Sequence, residues 1–319
     1  MLAILNITLP LFLLIGVGYS SIKLGFLTLD QNRGLGSYVL NFAYPALVFN
    51  AISTLDITSA FIYEYVFIYG GITIALYWAG VLISLKVLGR KAVQSALNGL
   101  GLIFCNTAFL GYPVLAQVIG SEKAAIFLSM NLLFENLLGV LPTILLCELS
   151  SGKKKNILKL LKTALQKIFS SPPIVAIISG IIFSLLGFGV VEPVRKTLTM
   201  LSIAAAPVAL FAIGANLNAI RFRSSIRAAI PITLGKLVLF PSLIFLGFTL
   251  YGVDDPTTVM SGVLLASAPA ATLYALIGIQ YGEGGTTSGN LIVMTLASFF
   301  SLSLILALWD YFYGFPMAL

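Results

Sequence analysis

The sequence predicts an all-α membrane protein: ten transmembrane helices in a 5+5 inverted repeat, with helices 4 and 9 broken. Three observations predict it. Hydrophobic residues make up 59% of the 319 residues and charged residues only 9%, with a mean hydropathy of +1.04, far from an average soluble domain. Basic residues gather in alternate loops, and sequence landmarks recur at a fixed offset in the two halves. At about 20 apolar residues per span, the length admits roughly ten spans with short loops and no soluble domain.

The apolar runs place spans near 2–22, 35–53, 62–85, 95–119, 124–147, 173–190, 197–218, 228–251, 257–280 and 286–309. The first run precedes the first positive charge, Lys23. A cleavable signal peptide has the reverse order, so this run stays as a span. Alternate loops put Lys23, Arg33, Lys86, Arg90, Lys91, the block from Lys153 to Lys167, Arg221, Arg223 and Arg227 on one face, fourteen basic residues in all. The other face receives Asp56, Glu64, Glu122, Lys123, Glu192, Arg195, Lys196, Asp254, Asp255 and Asp310, with three basic residues. The positive-inside rule makes the first face cytoplasmic and leaves both termini on the extracytoplasmic side of the inner (plasma) membrane. Orientation therefore accounts for the net charge of +7, and no nucleic-acid partner is expected.

The long loop, 148–172, carries Lys153, Lys154, Lys155, Lys159, Lys162 and Lys167 and ends at Ser171-Pro172-Pro173. The periodicity of Ile157, Leu160, Leu161, Leu165 and Ile168 fits an amphipathic cytoplasmic helix on anionic membrane lipid; a solvated linker that sets topology fits equally. Either way the loop separates a first five-span half, 1–147, from a second, 173–319. Five is odd, so a duplicated half enters the membrane from the opposite side. Pro10 and Pro172, Pro45 and Pro207, and Asn106 and Ala268 are each 162 residues apart, and PALVFNAI at 45–52 matches PVALFAIG at 207–214.

Within the run from Leu97 to Ile119, the stretch FCNTAFLGYP at 104–113 is poor material for an unbroken helix, because Pro113 removes a donor and Gly111 loosens the turn. Its counterpart is ASAPAATLY at 266–274, interrupted by Pro269. Proline kinks with packing roles alone would look similar. Yet two interrupted segments at corresponding places point to a transporter binding site, because freed backbone is tolerated only inside protein or beside a cavity. Half-helix N-termini meeting at the midplane would suit a carboxylate.

Glu135 lies near the centre of the fifth span, where an ionisable group costs about 2.5 to 3.5 kcal/mol. Asn131 is four residues earlier on the same face, and Asn106 and Thr107 sit at the adjacent break. Asn131 and Glu135 are the ion-coupling candidates: with Asn106 and Thr107 they would make an all-oxygen sodium site, or Glu135 alone would carry a proton. A helix–helix hydrogen bond is the structural alternative. Lys236, well inside span eight, is expected to snorkel to the surface or to find a backbone carbonyl. Asn50 is placed to reach a central cavity; Asn41 and Asn216 suit caps or interhelical bonds. Cys105 and Cys147 have no partner at metal-ligand spacing, and the absence of histidine excludes His-based catalysis and the usual near-neutral switch.

LPLFLLIGVGY at 9–19, LNFAYPALVF at 40–49, NTAFLGYPVL at 106–115, FAIGANL at 211–217, GKLVLFP at 235–241 and SAPAATLYALIGIQYG at 267–282 together resemble the auxin efflux carrier family of membrane transporters. That family includes bacterial malonate carriers and the plant PIN exporters. The resemblance implies ten spans in a 5+5 inverted repeat, a scaffold able to support a homodimer, and crossing broken helices that hold substrate. It places crossover residues on Asn106, Thr107, Gly111, Pro113, Pro269 and Ala270, which with Asn50 make the substrate-binding candidates. The plant pattern has asparagines around the second crossover proline; here Ala268 and Ala270 flank Pro269, which favours a small acid over an aromatic auxin-like substrate. The expectation is a secondary transporter of a small organic anion, a mono- or dicarboxylate such as malonate. A membrane-embedded sensor using the same pocket is the alternative. No nucleotide-binding motif, cofactor or enzymatic nucleophile–base pair is expected, so a sodium or proton gradient would supply any driving force.

Overall fold

The computed structural model describes residues 2–54, 62–150, 157–219 and 226–314. Asp56, Lys153, Lys154, Lys155, Arg221 and Arg223 lie outside the described residues. The described chain is helical throughout. Seven helices are long and apolar enough to cross a membrane, or eight if one bent pair counts as a span.

The first half runs through α1 (Leu2–Lys23), α2 (Leu29–Tyr38), α3 (Tyr44–Ser53), α4 (Tyr63–Leu82), α5 (Ala92–Ile103), α6 (Tyr112–Ile119), α7 (Ser121–Phe134) and α8 (Leu141–Ser150). Next come α9 (Ile157–Phe169) and α10 (Pro172–Leu185). The rest comprises α11 (Glu192–Ile203), α12 (Ala205–Asn216), α13 (Ile226–Leu234), α14 (Phe240–Tyr251), α15 (Pro256–Ala266), α16 (Thr272–Gln280) and α17 (Gly284–Tyr313). The run expected at 173–190 stops at Leu185, where Gly187, at a φ of 63°, leaves the helix. The run expected at 257–280 is divided between the short α15 and α16.

Four prolines are accommodated by one device. Wide π-helical turns at Val39–Ala43, Thr107–Gly111, Glu135–Val140 and Gly235–Leu239 each end two residues before a proline: Pro45, Pro113, Pro142 and Pro241. A proline ring clashes with the carbonyl four residues back and supplies no N–H. The extra residue of a π turn relieves both problems while the helix continues. Pro113 therefore does not break its helix. The break lies earlier, at 104–106, where Phe104 turns extended and Asn106 has φ −83° and ψ 55°.

The core is rich in fully buried tyrosines, each with a partner for its hydroxyl. Tyr44 donates to the Ala108 carbonyl, Tyr65 to Asn131 at 2.8 Å, Tyr77 meets Thr143 at 3.0 Å, and Tyr274 accepts from Asn290 at 3.1 Å. The halves interlock: α1 packs along α12, and α10 packs along α3. The α1–α12 seam is a backbone contact. A Cβ on Gly18 would strike the Phe211 carbonyl, and one on Gly214 would strike the Ile15 carbonyl, the close approach that small residues permit between helices in lipid. Asn32, unremarked in the sequence, is buried beside this seam and donates to the Ala212 carbonyl and to Asn216, both at 3.0 Å.

Gly18→Val and Gly214→Val are each expected to destabilise the folded protein by at least about 1–3 kcal/mol, the cost of overpacking, seen as a lower Tm in detergent. Unchanged melting in both would mean that the seam opens without cost. Asp255 caps α15 through the Thr257 and Thr258 amides at 3.2 and 3.0 Å. Partial burial pushes its carboxyl up, but hydrogen bonds from Thr258 and Thr257 outweigh this and hold it below the usual carboxylate value. The cap's stabilisation is thus complete above the unfolded value of about 3.9 and is lost as pH falls through the lower folded value. Asp255→Ala is expected to cost about 1 kcal/mol at neutral pH, with the Tm difference from wild type shrinking in acid; a pH-independent difference would contradict this origin.

Candidate functional site

Two interrupted helices meet inside the molecule, and their freed backbone groups find partners in each other or in buried side chains. The Asn106 amide donates to the Pro269 carbonyl at 2.6 Å, joining the 104–106 break directly to the one at 267–271. The Thr107 hydroxyl donates to the Glu135 carboxylate. The Asn106 side chain caps the new helical turn, accepting from the Phe109 amide at 3.3 Å. Gly111 gives the segments room: a Cβ there would come within 2.9 Å of Leu265 on α15.

Lys236 completes the contact. It lies in the π turn ahead of Pro241 and is fully buried, so the snorkelling expected from sequence does not occur; the carbonyl partner does. Its ammonium donates to the Ala266 carbonyl at 2.7 Å, at the end of α15, and to the Cys105 sulfur at 2.9 Å, at the first break. It also lies 4.7 Å from the centre of the Phe240 ring, a favourable cation–π position. One lysine thus ties both breaks. Lys236 and Glu135 are the buried base and the buried acid among the described residues.

Residues expected from sequence divide by accessibility. Thr107, Gly111, Pro113, Pro269, Ala270, Asn131 and Glu135 are buried. Asn106 and Phe109 keep part of their surface, and Thr272, which opens α16, is exposed. No side chain caps α16. Asn131 turns from Glu135 to accept from Tyr65, and its Nδ2 has no hydrogen-bond partner. Asn50 is half-buried with its Oδ1 unpartnered; among the described residues no hydrogen bond links it to either break. Asn41 holds Ser37 at 2.9 Å.

The side-chain oxygens expected to hold sodium are already engaged. Glu135 accepts from Thr107, Asn131 from Tyr65 and Asn106 from Phe109. With an ammonium beside them as well, this donor set does not fit a sodium ion. A cleft of about 540 Å³ approaches the breaks from one side. Its lining includes Arg90, Gln94, Asn98, Leu102 and Asn290. Leu102 is two residues before the first break, and Asn290 holds Tyr274, three residues beyond the second. Sequence reading missed Arg90 and Gln94 as lining residues because they looked like loop and helix-end residues. Asn98 and Asn290 carried a legible signal, an amide within an apolar run.

The family profile described as "Membrane transport protein" matches residues 3–306. The chain belongs to the Membrane transport protein family. This bears out the auxin efflux carrier resemblance. Over 300 residues the chain is 29% identical to a Rhizobium meliloti protein named "Putative malonate transporter", covering 93% of each. A Methanocaldococcus jannaschii protein named as an uncharacterized transporter is 28% identical over 322 residues, covering 96% of this chain and 98% of the relative. Another from Methanothermobacter thermautotrophicus is 29% identical over 314 residues, covering 93% and 95%. As a Membrane transport protein family member, the chain is an integral membrane transporter, and its kin are named for transport rather than for catalysis.

Whether Lys236 and Glu135 couple is testable by a double-mutant cycle. Lys236→Met and Glu135→Gln are each expected to lower the Tm in detergent, while the double variant falls short of their sum by about 0.5–3 kcal/mol. Strict additivity would mean that the two charges do not sense each other.

Proposed function

We propose that this protein is a secondary transporter of a small organic anion, a mono- or dicarboxylate such as malonate, working by alternating access around the contact between the two breaks. The observation that carries the reading is the Asn106–Pro269 hydrogen bond, which joins interrupted segments from opposite halves of the chain. Segments 92–119 and 256–280 are then broken spans four and nine, crossing at the site.

A correspondence along the whole chain supports the inverted repeat. Offset by about 162–170 residues at their starts, α1 matches α10, the pair α2–α3 matches α11–α12, and α4 matches α13–α14. Likewise α5–α6 matches α15–α16, and α7–α8 matches α17. The packing is reciprocal too, since the first span of each half lies against the second span of the other. The units are 1–147 and 173–319, joined by the 148–172 linker, with both termini on the extracytoplasmic side of the inner membrane by the charge distribution.

The electrostatics favour an anion. Lys236 holds a positive charge at the contact, the uncapped N-terminus of α16 offers amide donors, and Arg90 lines the cleft leading inward. Asn106 and Thr272 offer accessible polar groups for the substrate, backed by Asn50, Thr107, Gly111, Pro113, Pro269 and Ala270. For coupling we favour the proton over sodium. A sodium ion would have to displace the donors on Glu135 and Asn131 and sit beside an ammonium, whereas a proton needs only Glu135.

Uptake of labelled malonate and a panel of small carboxylates into proteoliposomes, under imposed proton, sodium or no gradient, tests this. Accumulation following the proton gradient is expected, with Glu135→Gln removing the gradient dependence. Asn106→Ala is expected to reduce kcat/KM roughly ten- to a hundredfold, the worth of a hydrogen bond to a charged ligand. Absence of flux for every carboxylate would overturn the reading, and sodium-driven accumulation would overturn the proton assignment.

A further inference from the structure

The helix α9 takes no part in the contact between the breaks, yet it is built for a particular surface. It meets α10 at a bend of 66°, so it lies across the apolar direction of α10 rather than continuing it. The elbow is fixed: the Ser171 amide and hydroxyl both bond the Ile168 carbonyl, at 3.1 and 2.7 Å, and Pro172 opens α10 at a position that needs no N–H.

The apolar side of α9 is divided in two. Ile168 is buried against the protein. Leu161, Leu165 and Phe169 lie along a neighbouring stripe that lines an open groove of about 410 Å³ with Leu158, Lys162 and Gln166. Leu158 is 76% exposed and Phe169 46%. Lys162 and Lys167 are exposed, and no acidic residue occurs anywhere between Leu149 and Val191, a stretch with six lysines. Apolar side chains flanked by exposed lysines, on a helix set across the neighbouring span, match the boundary between acyl chains and anionic headgroups.

We propose that α9 is an interfacial helix that binds anionic phospholipid, with acyl chains covering the Leu161–Leu165–Phe169 groove and headgroup phosphates meeting Lys162 and Lys167. A free protein partner would need an acidic surface with an apolar ridge; the bilayer supplies both beside the adjoining span. The lipid thereby anchors the connection between the two halves, whatever substrate the protein carries.

Hydrogen exchange of residues 157–169 tests this with full-length protein in nanodiscs of phosphatidylcholine alone or mixed with phosphatidylglycerol. Exchange is expected to slow in the anionic discs by about fivefold for each lysine engaged, and the slowing is expected to vanish at high salt. The K162Q/K167Q variant should lose it, while Lys196→Gln, an exposed lysine elsewhere, should keep it. Equal exchange in the two lipids, or slowing that survives in K162Q/K167Q, would overturn the proposal. Should K162Q/K167Q fail to incorporate, the wild-type salt series decides: slowing that persists at high salt excludes headgroup binding.

Discussion

A helix interrupted inside an apolar protein leaves polar backbone groups where water cannot reach them, and each such group left alone costs several kcal/mol in lipid. The structure meets this constraint by making each break serve the other. The Asn106 amide takes the Pro269 carbonyl, Lys236 takes the Ala266 carbonyl, and the Asn106 side chain takes the Phe109 amide. The buried charges follow from the same need. An ammonium with three donors and a carboxylate with several acceptor sites can each satisfy more than one neighbour, backbone or side chain.

This arrangement also explains the uneven distribution of accessible surface. The side holding Lys236, Cys105, Thr107 and Glu135 is closed and packed against Tyr65, Tyr69 and Phe240. Polar groups that retain surface belong to Asn106 and Thr272. The closed side and the accessible polar edge therefore lie on the same pair of breaks. The cleft past Arg90 is lined by Asn290, which bonds Tyr274 just beyond the second break.

Much of the fold was legible because its signals are compositional: apolar runs of spanning length, basic loops and recurrent prolines. The two interruptions were legible for a related reason, since asparagine, glycine and proline are conspicuous in an apolar run. What sequence could not supply was the use made of each residue. Pro113 looked like the breaker, but the π turn at Thr107–Gly111 absorbs it and the chain breaks at Asn106 instead. Lys236 looked close enough to a helix end to snorkel, but its direction depends on a carbonyl thirty residues later in the chain. Asn131 shares a helix face with Glu135, yet Tyr65, from another helix, claims it. Tertiary partners decide such cases, and no local pattern encodes them.

The reciprocal packing of the halves bears on how the chain is made. α1 leaves the ribosome well before α12, whose backbone lies against its Gly18 and which follows almost two hundred residues later. At about 5–20 residues per second, that separation is roughly ten to forty seconds of synthesis. During that interval the glycine seam of α1 faces lipid or the insertion machinery, and the α3 surface destined for α10 waits in the same way. The finished interlock is therefore a late event of biogenesis, and the first half enters the bilayer as an open-sided intermediate that only the second half can close.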